Sequence, residues 1–133
     1  MSYLLDTDIC IYWLKGRESV LSKVDDIGLN NIFISMITAA ELFYGAYNSQ
    51  SVEKNLMTAK RFIDFFDVLD LSLEASEIFG RLKAELRQQG NLIADMDLMI
   101  ASVALANNLV LVTNNTRHYA RIEALHLENW INV

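Results

Sequence analysis

The sequence contains no proline, one cysteine and two histidines among its 133 residues. The single cysteine, Cys10, excludes an intramolecular disulfide and a zinc site built from cysteines. The histidines, His118 and His126, lie near the C-terminus with no further ligand beside them at zinc-site spacing. Because the chain has neither proline nor a low-complexity tract, it offers no linker, and we expect a single domain over residues 1–133.

Long apolar runs and basic residues are also scarce. No stretch reaches about 18 uninterrupted apolar residues, so the sequence predicts no transmembrane helix. Residues 1–6 carry no basic side chain and do not resemble a signal peptide, so we expect a reducing, cytoplasmic location. Eleven Lys and Arg against 17 Asp and Glu give a net charge of −6. This balance argues against a general nucleic-acid binder, because affinity for phosphates is mostly cationic.

Short apolar runs alternate with segments of helical periodicity, which predicts an α/β fold. The predicted strands cover residues 3–5, 32–34, 68–71 and 109–112, with a short edge strand within 125–128. The predicted helices cover residues 9–14, 18–27, 36–47, 51–66, 73–89 and 98–106. Strands that are apolar on both faces and separated by helices indicate a parallel sheet of four to five strands, covered on two sides.

Oxygen-bearing side chains follow most of the predicted strands, at the edge where such sheets place their functional crevice. They are Asp6 and Asp8, then Ser35 and Glu41, then Asp95 and Asp97, and finally Thr113, Asn114 and Asn115. A cluster of carboxylates repels itself unless protons or cations compensate its charge. Because oxygen ligands select hard cations, this pattern predicts a Mg²⁺ site, with Mn²⁺ as a substitute.

Most of these residues also have a structural interpretation. Asp6 and Ser35 follow strands and can cap the next helix, while Asp8 suits the first turn of a helix through the helix dipole. Glu41 stands three residues after Thr38, which matches a capping box. Asp95 and Asp97 can cap the helix at 98–106, and the two asparagines suit a turn. We favour the functional interpretation because these acids are expected to share one sheet edge.

The chain resembles the PIN-domain ribonucleases and, among them, the VapC toxins of toxin–antitoxin pairs. The resemblance covers essentially the whole chain in family order. It rests on LLDTD at 4–8, IS at 34–35, ELFYGA at 41–46, DLMIA at 97–101, LVTNNTR at 111–117 and LENW at 127–130.

This resemblance implies a three-layer α/β/α fold and a Mg²⁺-dependent endoribonuclease that cuts structured RNA, of the tRNA or rRNA class, and inhibits translation. It assigns Asp6, Glu41 and Asp97 as metal ligands and places Asn115 at the fourth catalytic position. This position is an Asp or Asn in the family, and the amide of Asn115 supplies a neutral oxygen where the four-acid members have a carboxylate. The resemblance also implies a homodimer and a cognate VapB-type antitoxin.

Four further residues are expected to orient the ligands and waters from outside the metal site. They are Asp8, Asp95, Ser35 and Thr113. His118 follows the fourth strand, and we interpret it as a surface histidine in preference to a catalytic one. The crowded apolar residues of the helix at 51–66 are core candidates, part of which can serve a dimer or the antitoxin.

Two other functions stay open at the level of sequence. In a phosphatase of the haloacid-dehalogenase type, Asp6 would be a nucleophile and Asp8 a general acid–base. That scheme needs a lysine near a later strand end and leaves Glu41 without a role. In a non-catalytic module, the acidic pocket would only dock a basic segment of a partner.

Overall fold

A five-stranded parallel sheet forms the centre of the computed structural model, which describes residues 1–131. Its strands are β1 (Tyr3–Leu5), β2 (Ile32–Ser35), β3 (Val68–Leu69), β4 (Val110–Val112) and β5 (Leu127–Glu128). Their order across the sheet is β3-β2-β1-β4-β5, and every neighbouring pair is parallel. The chain winds outward from β1 to β3 and then returns to place β4 on the other side of β1. The winding therefore reverses at β1 and β4, where open α/β sheets form a crevice beyond the carboxyl ends of the strands.

The described residues contain seven α-helices and one short 3₁₀ turn, Leu29–Asn31. The α-helices are α1 (Thr7–Leu14), α2 (Glu18–Ile27), α3 (Met36–Tyr47), α4 (Val52–Ile63), α5 (Leu73–Gln88), α6 (Asp95–Ala106) and α7 (Thr116–Tyr119). Within residues 1–131, none of them has the length and apolar character needed to cross a membrane.

Two apolar layers cover the sheet, one on each face. Successive strand residues point to opposite faces, so Leu4 packs with α5 and α6 while Leu5 packs with α1, α2 and α4. In the second layer the Trp13 ring meets Phe62 and Phe66 edge-on, with centroids 5.1 and 5.4 Å away. The three-layer α/β/α arrangement predicted from the sequence is confirmed.

The predicted helices at 18–27 and 36–47 have the predicted bounds. The helix predicted over 51–66 is shorter and ends at Ile63, although Phe66 beyond it is still buried. The strand predicted at 68–71 pairs with β2 only through Val68 and Leu69. These differences lie at element ends, where apolar pattern continues after the backbone has left the regular structure.

Two differences concern the crevice. Helix α6 begins at Asp95, three residues before the predicted start, and its N-cap is Ala94, which makes no side-chain capping bond. The interpretation of Asp95 and Asp97 as N-caps is therefore wrong, because both lie inside the first turn. Helix α7, which was not predicted, has only four residues, and this length carries no periodicity to detect.

Candidate active site

Asp6 lies at the junction of β1 and α1 and is buried. Its Oδ1 accepts a hydrogen bond from the Thr7 amide at 2.9 Å, so Asp6 is the N-cap of α1. Its Oδ2 accepts from the Thr113 hydroxyl at 2.8 Å, across 107 positions of sequence. Asp6 thus both begins a helix and joins the two strands at which the winding reverses.

Asp8 lies beside Asp6 and is tied to the segment after β4. Its Oδ1 accepts from the Ile9 amide at 2.7 Å, and its Oδ2 accepts from the Asn114 amide at 3.0 Å. The Thr113 hydroxyl is also 3.5 Å from Asp8 Oδ2. One threonine at the end of β4 therefore contacts both carboxylates that follow β1.

The electrostatic environment opposes ionisation of these carboxyls. Burial, and then the charge of Asp8, raise the pKa of Asp6 to about 7, while the hydrogen bonds from Thr113 and Thr7 act in the opposite direction. The charge of Asp97 adds a smaller increase. Burial also raises the pKa of Asp8, against the hydrogen bonds that it accepts from Asn114 and Ile9. Near neutral pH this cluster therefore favours a proton or a cation among its oxygens.

Glu41 reaches the same region from α3 through a chain of hydroxyl groups. The Thr7 hydroxyl donates to Glu41 Oε1 at 2.6 Å and lies 3.0 Å from the Thr38 hydroxyl. Ser35 is the N-cap of α3, and its Oγ accepts from the Thr38 amide at 3.1 Å. Because Ser35 holds the N-cap position, the capping-box interpretation of Thr38 and Glu41 is wrong. Sequence reasoning gave Thr7 and Thr38 no part in the site. Their only signal was the position of Thr7 beside Asp6 and of Thr38 three residues after Ser35.

Asp97 enters the cluster from the first turn of α6. Its charge raises the pKa of both Asp6 and Asp8, which places it on their side of the crevice. Its Oδ2 lies 3.1 Å from Nε2 of His118, a residue of α7. The structure thus places His118 in contact with a predicted metal ligand, where the sequence had suggested an open surface.

The other two predicted residues, Asp95 and Asn115, have no side-chain hydrogen bond to the carboxylates of this cluster among the described residues. Asp95 is half-exposed and pairs with Lys83 on α5 at 2.9 Å. Asn115 is exposed and contributes its backbone amide, which donates to the Thr113 hydroxyl at 3.0 Å. Among residues 1–131 no side-chain hydrogen bond joins Asn115 to Asp6, Asp8 or Asp97.

The donor set has the chemistry of a hard divalent-cation site. Its groups are carboxylate and hydroxyl oxygens, and one carboxyl is buried with a pKa raised to about 7. The Tyr119 hydroxyl is also buried, and the charges of Asp6 and Asp97, after burial itself, raise the pKa of Tyr119. Nevertheless this hydroxyl has no well-formed hydrogen bond among the described residues. Its contact with Asp6 contributes to the raised pKa of Tyr119, and a polar atom so poorly paired beside carboxylates fits a site that takes up an ion and its waters.

The carboxylates as placed do not form a closed set of ligands. In the part of the chain that the structure describes, no three His, Cys, Asp or Glu side chains lie close enough together to hold a metal ion. Binding of an ion therefore requires the carboxylates to approach one another.

The sequence matches the PIN domain family over residues 3–125. The chain belongs to the PIN-domain family. Among PIN-domain relatives, it is 41% identical over 132 residues to the ribonuclease VapC2 of Rickettsia felis, covering 98% of each chain. It is 37% identical over 130 residues to the tRNA(fMet)-specific endonuclease VapC of Shigella flexneri, again over 98% of each chain. The DNA-bound VapBC structure from Salmonella typhimurium superposes on this PIN domain with a TM-score of 0.92, at 36% identity and 98% coverage of each chain.

These relationships exclude one of the alternatives left open by the sequence. A PIN domain related over nearly its full length to VapC ribonucleases is a nuclease fold, so the phosphatase interpretation of Asp6 and Asp8 is wrong. The structure places Glu41, which that interpretation left unused, in a hydrogen bond with Thr7 at the crevice.

Proposed function

We propose that this chain is a metal-dependent endoribonuclease toxin that cuts structured RNA, inhibits translation and is neutralised by a VapB-type antitoxin. The observation that carries this proposal is the hydrogen-bonded arrangement of Asp6, Asp8 and Thr113 where β1 and β4 meet, to which Thr7 joins Glu41. The charge of Asp97, at the start of α6, acts on the same two aspartates. The same edge of the sheet carries the functional crevice in parallel α/β folds.

We assign Asp6, Glu41 and Asp97 as the ligands of Mg²⁺, with Mn²⁺ as a substitute. When bound, such an ion supplies a Lewis acid for a phosphoryl oxygen and lowers the pKa of water. Thr7 and Thr113 fix the two oxygens of Asp6, and the Thr7 hydroxyl holds Glu41. These bonds orient the ligands before an ion arrives, as outer partners do in metal sites.

Asp8 and Ser35 support this arrangement without ligating. Both oxygens of Asp8 accept backbone amides, which suits it to holding the segment after β4 against α1. Ser35 is buried and acts through Thr38 on Thr7. Asp95 is paired with Lys83, so we assign it no part in ligation. For Asn115 we keep the predicted role of positioning water through its side-chain amide.

The cleavage is hydrolytic in this proposal, because the side chains that could act as nucleophiles are engaged or inaccessible. Cys10 is fully buried, and burial raises the pKa of its thiol well above the usual range. Ser35 is buried as the N-cap of α3, and the Thr7 hydroxyl donates to Glu41. None of the three has a histidine among its hydrogen-bond partners within residues 1–131.

The relatives suggest both the substrate class and the partner. Two of them, from Shigella flexneri and Salmonella typhimurium, are tRNA(fMet)-specific endonucleases by name. Related solved structures are complexes described as VapBC. We therefore propose a tRNA-class substrate, with initiator tRNA as the first candidate, and an antitoxin of the VapB type.

Cleavage of initiator tRNA with Mg²⁺ tests the proposal. We expect Asp6→Asn to lower the cleavage rate by at least about 100-fold, because even outer partners of metal ligands are worth about 10–100-fold. Asp25→Asn, the same chemical change on the exposed face of α2, serves as the matched control and is expected to retain full activity. Sequencing of RNA ends after induced expression of each variant locates the bond that is cut.

Equal RNA loss with wild type and Asp6→Asn would point to a contaminating nuclease and contradict the proposal. If wild type cuts nothing yet binds a basic antitoxin segment, the chain is the non-catalytic acidic module. Light scattering on the free chain tests the homodimer that we also expect, at about twice the 15.1 kDa mass of one chain.

A further inference from the structure

His118 contacts a carboxylate of the candidate site from an element that sequence reasoning did not predict. Its Nε2 lies 3.1 Å from Asp97 Oδ2, with the histidine side chain 21% and the aspartate side chain 32% exposed. The two residues come from different helices, α7 and α6, and are 21 positions apart. The contact is therefore a product of the tertiary fold.

The backbone of α7 is held in place around His118. The His118 amide donates to the Asn115 carbonyl at 3.1 Å, and the Asn115 amide donates to the Thr113 hydroxyl that also holds Asp6. On the other side, the buried Tyr119 ring meets the His118 ring nearly at right angles, with centroids 5.3 Å apart. These contacts restrict the histidine to the side of the helix that faces Asp97.

We propose that His118 is a positioning residue of the nuclease: its Nε2–H donates to Asp97 Oδ2 and leaves Oδ1 available to an ion. This inference rests on the proposed function, because it gives Asp97 a metal to ligate. A carboxylate ligand needs one oxygen for the ion, and a donor on the other oxygen fixes its rotation about χ2. Thr113 serves Asp6 and Thr7 serves Glu41 in the same manner, so each proposed ligand has its own side-chain donor.

Mn²⁺ binding to the protein alone, followed by calorimetry, tests this role without relying on RNA cleavage. We expect His118→Ala to weaken Mn²⁺ binding by about 10–100-fold, the usual effect of removing an outer partner of a metal ligand. His118→Gln places an amide donor at a similar reach to Nε2 and is expected to restore most of the affinity. His126→Ala removes the other, exposed histidine and is expected to bind Mn²⁺ like wild type.

The kinetics of RNA cleavage supply a second measurement. Since His118 touches Asp97 and is not assigned to the RNA, we expect His118→Ala to lower kcat at saturating Mg²⁺ while KM changes little. Thermal unfolding in EDTA shows whether each variant is folded. A residue needed only for packing would lower the unfolding temperature in EDTA in both His118 variants and leave Mn²⁺ affinity unchanged.

Three outcomes would overturn the inference: unchanged Mn²⁺ affinity in His118→Ala, no recovery in His118→Gln, or tighter Mn²⁺ binding in His118→Ala. The last would mean that the histidine competes with the ion for Asp97. The proposed function fails separately, if wild type itself neither binds Mn²⁺ nor cuts RNA. If wild type binds Mn²⁺ and cuts RNA, and His118→Ala does so equally well, the proposed nuclease function is supported and only the role of His118 is excluded.

Discussion

Asp6 is buried between β1 and α1, where it accepts the first amide of the helix and lies within the field of Asp8 and Asp97. Its hydrogen bonds favour the charged form, and its burial disfavours that form more strongly, so the pKa rises to about 7. A residue placed in this way lowers stability when it is ionised and no cation is near it. The same property makes it a strong ligand, because a cation removes the penalty.

The pH dependence of stability follows from this shift. Without metal, the folded state holds the Asp6 proton up to about pH 7, whereas the unfolded chain releases it near the ordinary aspartate pKa of 3.8. The folded state therefore binds more protons between these values, and its stability falls as the pH rises through this window. At about 1.4 kcal/mol per pKa unit, the loss is at most about 4 kcal/mol.

Asp6→Asn lacks this titration, so we expect its metal-free stability to exceed that of wild type increasingly from about pH 4 to pH 7. Urea unfolding in EDTA across this range measures the difference. Asp25→Asn, exposed on α2, is expected to follow the wild-type curve. Wild-type and Asp6→Asn curves that stay parallel would show that Asp6 is not the group that titrates.

Tyr119 gives a second prediction at the level of a residue. The buried Tyr119 hydroxyl meets Asp6 without a hydrogen bond of good geometry, and a poorly paired buried hydroxyl costs roughly 1–3 kcal/mol. Tyr119→Phe is therefore expected to stabilise the metal-free protein by about 1 kcal/mol. With Mg²⁺ present we expect the gain to shrink, because the hydroxyl then has the ion's waters to bond. Thermal unfolding with EDTA and with Mg²⁺ measures both. Tyr44→Phe makes the same change at an exposed site of α3 and serves as the control. A loss of metal-free stability in Tyr119→Phe alone would show that the contact of this hydroxyl with Asp6 stabilises the fold.

At the scale of elements, the helices and strands with the clearest apolar pattern are the ones that were predicted correctly from the sequence. Helices α2 and α3 have their predicted bounds, and the alternation of apolar runs with helices correctly predicted a parallel sheet. From that sheet it followed that Asp6, Asp8 and Asp97 would share an edge. The Thr7–Glu41 and His118–Asp97 contacts could not be predicted, because each joins two elements whose packing leaves no local pattern. Helix α7 is too short to show periodicity, and the Thr-Asn-Asn-Thr segment at its start suggested a plain turn.

The helix starts differ in a way that mutation can measure. The N-cap of α5 is Ser72, whose hydroxyl accepts from the Ala75 amide at 3.1 Å, whereas the N-cap of α6 is Ala94, which makes no side-chain capping bond. We expect Ser72→Ala to destabilise the protein by about 1 kcal/mol and Ala94→Ser to stabilise it by a similar amount. Urea unfolding of both variants compares them directly. If Ala94→Ser gave no gain, the acids Asp95 and Asp97 would already satisfy the first turn through its dipole.

At the scale of the whole molecule, the net charge of −6 hides an uneven distribution. Five of the 17 acidic residues, Asp6, Asp8, Glu41, Asp95 and Asp97, were predicted to lie at one edge of the sheet. In the structure Asp95 has its own partner in Lys83, so the other four carry the unbalanced charge of the crevice. A nuclease with this distribution repels its substrate at the catalytic edge until cations bind there.

This placement predicts that, in the absence of metal, the position of an acidic residue affects RNA binding more than the net charge of the protein does. At pH 8 in EDTA, where Asp6 is mostly ionised, we expect Asp6→Asn to bind initiator tRNA about fivefold more tightly, on the order of 1 kcal/mol for one nearby charge. Asp25→Asn changes the net charge equally but lies on α2, and we expect no comparable gain. Fluorescence anisotropy measures both, since EDTA prevents cleavage. Equal gains in the two variants would show that only net charge counts, and no gain in either would place the RNA away from this crevice.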